Sequence, residues 1–444
     1  MIALNRHSIL TNIIVFSLLM SFAVPFCFGQ GRFRGRHFRD SKTDQNRSTP
    51  STSDSSASAS KLLTQATVAL TKVSDTDLST SIENLQRLTL SIDQALIQQV
   101  NVWDTSENRS PWGVMHATLA WGLDGEILVD GKPYNAIASL CENKTLKGVK
   151  MLELDDGNLT PRQGPGLQGH PGQFLAILAQ NNIDIQQEII CQGQKFTVSD
   201  LVEYEKATCE TDSELTFKLI GLNFYLTADA TWTANDGTQW SVERLLREEI
   251  AQPINKVTCG GTHRLMAISL ALKRRLASGE SLTGTWEIAS TYIDDYQQYA
   301  LTLFNPDGSF SSEWFESRGA LRDPQRWMQT TGHVLEWLAV SLSDEQLLDP
   351  RIIRSVSFLS ELLKIEAGQE WSIGPRAHAL RSLRLYKARL QGLIQAQDTR
   401  IASNLDSNQP SKDSDEDQNP VPVSSDHRQK IDPESEPQPN AVEF

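Results

Sequence analysis

Five histidines share one kind of sequence setting, and imidazole is the side chain best suited to proton transfer or metal ligation near neutral pH. They are His116 (Trp-Gly-Val-Met-His-Ala), His170 (Gln-Gly-His-Pro-Gly), His263 (Cys-Gly-Gly-Thr-His-Arg), His333 (Thr-Thr-Gly-His-Val) and His378 (Gly-Pro-Arg-Ala-His-Ala). Each falls at the expected start of a helical segment, usually just after glycine. Helix N-termini carry free N–H groups and positive potential, which favours neutral imidazole and suits an anionic or polyhydroxylated ligand. One histidine in such a place more often bonds a backbone group or packs in a turn. Five in equivalent places point to a shared, histidine-lined pocket.

Two spacings add chemistry. His333 and Glu336 share a helical face, so the carboxylate can orient the ring or act beside it as acid or base; a second-layer polar pair is the alternative. Cys259 and His263 have the spacing of a metal pair or of a thiolate with its base, but Gly260 and Gly261 place Cys259 ahead of the helix. The expected catalytic residues are therefore His263, His333 and Glu336. The expected ligand contacts are His116, His170, His378, Arg264, Arg376 and Trp337, with no metal ligand assigned and the cofactor left open. Arg318 and Arg326 lie near the same mouth, where they bind acidic groups or cap helices. Trp112, Trp314, Trp327 and Trp337 offer stacking faces for sugar rings or fill the core. Gly164-Pro165-Gly166 is no phosphate loop, because the Gly-Lys-Ser/Thr ending is missing.

The elements that must position these residues repeat. Residues 126–140, 188–202 and 231–246 each read as two short apolar strands around a Gly turn (Gly131, Gly193, Gly237), followed by helical spacing. Ser199 and Ser241 are the expected caps of two of those helices. Before each unit lies another helical segment, at 112–122, 172–180 and 215–226. The alternation continues as 262–275 with 286–303 and 331–342 with 350–365, and ends with a helix at 375–394. The long amphipathic segment 78–100 supplies the missing twelfth helix. The expected fold is all-α: an (α/α)6 toroid of helical hairpins with small β-hairpin insertions in the first three units. An open helical array is the alternative.

The chain has 444 residues and a net charge of −14, with 39% hydrophobic and 22% charged residues, a globular and acidic composition. Acidity argues against nucleic acid as a partner. The charge is unevenly placed: residues 397–444 hold 11 acidic and 4 basic groups, and residues 30–60 hold 6 basic and 3 acidic. Residues 1–29 read as an export signal or a short anchor, with Arg6 ahead of the apolar run from Ile13 to Phe28. Residues 30–60 read as a basic disordered linker, 61–396 as the toroid domain and 397–444 as an acidic disordered tail. The protein is thus expected to be exported to a periplasmic or extracellular space, or held by that segment, its one contact with membrane. Four cysteines follow the leader, Cys141, Cys191, Cys209 and Cys259, and pair as disulfides or remain free thiols.

Two resemblances attach to particular motifs. Asn305-Pro-Asp-Gly-Ser-Phe310, followed by Trp314, resembles the Asp-Gly-Ser/Gly-aromatic turn of squalene-cyclase and prenyltransferase-like α/α toroids, which implies the fold but not terpene chemistry. The acidic motifs of those enzymes are missing, as is the zinc-binding Asp-x-Cys of protein prenyltransferases, whose turn-helix shape Cys259-Gly-Gly-Thr-His263 only echoes. Gly332-His-Val-Leu-Glu-Trp337 is similar to the Gly-His-x-x-Glu-Trp motif of the N-acylglucosamine 2-epimerase family, another (α/α)6 barrel. That resemblance implies proton transfer by His333, although the family's Phe-His-x-Pro-Arg segment is absent. Together these features predict a pocket that binds or transforms a polar small molecule or glycan by acid-base chemistry, or else a non-catalytic scaffold that docks protein or glycan.

Overall fold

The structure, a computed structural model, describes residues 75–100, 104–365 and 370–407. The expected leader, the linker and the part of the tail beyond Ser407 lie outside the described residues. Those described form twelve α-helices and four two-stranded antiparallel hairpins. In chain order they are α1 (Asp75–Val100), α2 (Pro111–Trp121), β1 (Glu126–Val129), β2 (Lys132–Asn135), α3 (Ala136–Cys141), β3 (Leu152–Asp155), β4 (Asn158–Pro161) and α4 (Gln173–Gln180). Then come β5 (Glu188–Cys191), β6 (Gln194–Thr197), α5 (Val198–Ala207), α6 (Thr216–Tyr225), β7 (Thr231–Thr233), β8 (Gln239–Ser241) and α7 (Val242–Ala251). The chain continues as α8 (Thr262–Ala277), α9 (Thr285–Thr302), α10 (Pro324–Ser341), α11 (Pro350–Ile365) and α12 (Ile373–Ser407). Among the described residues, no helix is long and apolar enough to cross a membrane.

The helices fall into two kinds that alternate along the chain. Even-numbered helices are buried on nearly every side: all of α4 is buried, as are Thr216–Asn223 of α6. Odd-numbered helices, except the short and mostly buried α3, bury one stripe, for example Val198, Leu201, Val202 and Glu205 of α5 and Val242, Leu245, Leu246 and Glu249 of α7. That spacing is the apolar face of an amphipathic helix, whereas a helix apolar all round must be enclosed. The even helices pack in sequence, α2 on α4, α4 on α6, α6 on α8, α8 on α10 and α10 on α12, and α12 packs back on α2. The first helix, α1, packs on α11 and α12.

The expected hairpins form in register, Glu126 opposite Asn135, Glu188 opposite Thr197 and Thr231 opposite Ser241. Asp130-Gly131 and Gln192-Gly193 turn with both residues at positive φ, the tight type I′ arrangement. A fourth hairpin, β3–β4, was not expected; its signal was Asp156-Gly157, also at positive φ, between Leu154 and Leu159. Ser241 caps α7 by accepting the Arg244 N–H at 3.1 Å. Ser199 is not a cap: α5 starts two residues earlier, where Asp200 accepts the Thr197 N–H at 2.7 Å in a capping box.

Two helices exceed their expected bounds by more than one turn. The α10 helix begins at Pro324, because Asp323 caps it through the N–H groups of Gln325 and Arg326 and Pro suits a first helical position. The α12 helix runs past Ile394 to Ser407, into the segment read as disordered tail. The Asn305–Phe310 segment is a built turn: Asp307 accepts from Ser309 N–H and Oγ–H at 2.9 and 2.7 Å, and Asn305 bonds the Phe310 and Gly319 carbonyls. All four cysteines of the described residues are free thiols.

Candidate histidine centre

Four of the five histidines, His116, His263, His333 and His378, line one cavity together with Glu336. Their ring centroids lie close: 3.8 Å for His333–His378, 5.1 Å for His263–His378, 5.4 Å for His263–His333 and 5.5 Å for His116–His378. They come from three positions on α2, α10 and α12 and from the first turn of α8. Gly332 permits the closest approach, since a Cβ there would meet the Ala379 backbone at 3.0 Å. The Gly-His pair therefore brings α10 and α12 near enough for the rings of His333 and His378 to stack.

Hydrogen bonds settle the tautomers. His116 Nδ1 lies 2.7 Å from the Trp112 carbonyl and His333 Nδ1 lies 2.6 Å from the Gln329 carbonyl. A carbonyl only accepts, so each Nδ1 carries its proton and each Nε2 is left as the basic nitrogen. His378 Nδ1 likewise donates to the Glu336 carboxylate at 2.5 Å. Burial is the first cause that pushes the pKa of His116 down to about 4, and burial, followed by the cost of charging one imidazole beside another and, for His378, beside Arg381, holds His263, His333 and His378 well below 6.5. The four rings are neutral at pH 7 and available as bases or ligands. Burial, followed by the Glu336 charge, raises the Cys259 thiol to about 12.

The remaining expected residues take several places. Glu336 serves His378 rather than His333, and its second oxygen accepts from Arg381 at 2.7 Å, so the carboxylate is clamped from both sides. His170 stands in the loop before α4, its Nδ1 2.9 Å from Glu214, and its ring 6.1 Å from His263, but it does not line the cavity. Arg264 is tied at 2.9 Å to Glu249, and Arg376 at 3.2 Å to Asp104, both in buried ion pairs away from the cavity wall. Trp337 is a core residue that donates to Ser269 at 3.1 Å. The aromatic faces that do reach the histidines are Trp112 against His116 at 4.0 Å, Trp314 against His333 at 5.6 Å and Phe217 against His263 at 5.2 Å.

His333 also corrects the expectation that every histidine stands at a helix start. It lies in the middle of α10, because the helix begins at Pro324, so no N-terminal dipole acts on it. Sequence reasoning missed Arg381, Gln180 and the Gln329 carbonyl. Arg381 was findable only as one turn beyond His378 on the same face; the others carry no signal of their own.

The cavity measures about 20 Å³, which holds one water-sized group. A roomier pocket of about 470 Å³ shares Leu119 and Gln180 with it and is lined by Arg381, Arg384, Lys387, Asn181 and Asn182. That larger space lies at the C-terminal ends of α2 and α4, opposite to the end expected from helix N-termini. In comparisons with known proteins, the chain matches no family model, no curated protein and no solved structure.

Proposed function

We propose that the helices close into a six-hairpin α/α toroid and that the histidine cavity is a proton-transfer centre for a carbohydrate-like polar ligand. The cyclic packing of the even helices supports the toroid. The functional reading is carried by one observation: four neutral imidazoles, three with Nδ1 already committed, meet at a single cavity beside the Glu336–His378 pair. A ring whose Nδ1–H is held by a carboxylate is a general base at Nε2, with the carboxylate stabilising the imidazolium that forms.

In this reading His378 accepts a proton at Nε2, Glu336 positions it, and His263 and His333 sit within reach of the same ligand atom. The small cavity admits one hydroxyl or carbonyl of the ligand, and the 470 Å³ pocket takes the rest. The scaffold reading also has support in the narrowness of the cavity and in the engagement of Arg264 and Arg376 elsewhere. Thermal-shift screening with sugars, uronates and oligosaccharides separates the two. A ligand that stabilises the native protein but not the His263→Ala/His333→Ala double variant supports the centre, and equal shifts in both proteins refute it.

A further inference from the structure

Beside the proton-transfer groups stands a second constellation. Cys259 Sγ and one ring nitrogen each of His263 and His333 lie within 4.8 Å of one another. Two soft-to-borderline nitrogen donors and one sulfur at such range are the ligand set of zinc or another late divalent transition metal. Bond lengths of about 2.3 Å to sulfur and about 2.0–2.1 Å to nitrogen would put tetrahedral ligand atoms roughly 3.5 Å apart, so closure needs movement of about 1 Å.

Three further observations fit a ligand set. The Nε2 atom of His263 is buried with no hydrogen-bond partner, a costly state for a polar atom that serves only packing. The Nδ1 of His333 is fixed by the Gln329 carbonyl, the kind of outer contact that orients a ligating imidazole and leaves Nε2 for the metal. Cys259 is held at φ 55°, a left-handed conformation unusual for a residue with a side chain, followed by Gly260 and Gly261 at φ 60° and 82°. Neither glycine can be replaced without a clash, since a Cβ on Gly260 would meet Trp314 Cγ at 2.3 Å and one on Gly261 would meet Ile254 Cγ2 at 2.5 Å. The strained turn at the head of α8 is what brings the thiol to the two rings.

We propose that Cys259, His263 and His333 bind one divalent transition metal ion of the zinc type. On binding, the Cys259 S–H bond breaks, its proton passes to solvent, and an Sγ–metal bond forms with no change of oxidation state. Three protein ligands leave a fourth coordination position for water or a ligand oxygen, the pattern of catalytic rather than structural zinc. The inference deepens the proton-transfer reading, since it makes His263 and His333 ligands and leaves His378 with Glu336 as the proton-transfer pair of the same cavity.

The test is cobalt titration of the full-length, tag-free protein after chelator treatment. The native protein is expected to take up about one equivalent of Co2+, displaceable by Zn2+, with an intense thiolate-to-cobalt charge-transfer band. Cys259→Ser should keep the circular dichroism of the native protein, lose that band and bind cobalt more than about 100-fold more weakly, beyond the cost of disturbing an outer contact. His333→Gln should weaken uptake while keeping the band. Absence of stoichiometric uptake, or an undiminished band in Cys259→Ser, overturns the site. Sugar or uronate shifts recorded on the metal-free protein keep the two ideas apart: shifts without cobalt uptake sink the metal site alone, and uptake without shifts sinks the carbohydrate reading alone.

Discussion

At the scale of single residues, the histidines divide by what holds them. His116 is the clearest case: buried, bonded through Nδ1 to a carbonyl, and depressed from 6.5 to about 4. Its folded-state pKa lies below its unfolded one, so the unfolded chain binds the proton first. Stability is therefore whole above about pH 6.5 and is lost as the pH falls toward 4, by up to about 3 kcal/mol for this one group. Urea midpoints measured between pH 4 and 7 should fall on acidification, and His116→Gln should flatten that slope. Glu336 predicts a larger effect: Glu336→Gln leaves Arg381 buried beside a neutral amide and should cost about 3–5 kcal/mol in unfolding free energy. The histidines were legible because their type is rare and their setting recurs. Their partners were not, since Glu336 reaches His378 and Arg381 across 42 and 45 positions of sequence and only the fold brings them together.

At the scale of elements, α5 and α7 solve one problem twice. Each follows a hairpin, and each buries a glutamate at the same place in its stripe: Glu205 pairs with Lys218 at the start of α6, and Glu249 with Arg264 at the start of α8. These buried pairs join each amphipathic helix to the enclosed helix after it. Glu249→Gln is expected to lower unfolding free energy by about 3–5 kcal/mol, because Arg264 loses its partner at 2% exposure. The double change Glu249→Leu/Arg264→Leu should cost clearly less, and a double-mutant cycle in urea measures the difference. Helix positions were readable from apolar spacing, but the start of α10 was hidden because its cap, Asp323, precedes a segment of mixed polarity. The β3–β4 hairpin was hidden by its brevity. Arg264 read as a ligand contact because a sequence does not show that a carboxylate waits on the previous helix.

At the scale of the whole molecule, alternation of enclosed and one-sided helices was legible, since the two kinds differ in how many of their faces are apolar. The side chains that join the first and last described helices were not, because they are far apart in sequence. Gln99 of α1 donates to the Leu363 carbonyl of α11, 264 positions away, and Lys387 of α12 pairs with Asp93 of α1. An open array opens from its ends, unit by unit, whereas one sealed at this seam should unfold in a single step. Calorimetric and van't Hoff enthalpies should therefore agree for the native protein, and Lys387→Ala with Gln99→Ala should broaden the transition; a stepwise native transition would count against the closed toroid. The seam also sets an order in time. Leu85, Leu88, Ile92 and Ala95 of α1 are buried in the finished molecule, yet α1 leaves the ribosome before the helices that cover it have been translated. Among the described helices α1 is made first and its packing partners α11 and α12 are made last, so its apolar stripe stays uncovered by them for as long as synthesis lasts.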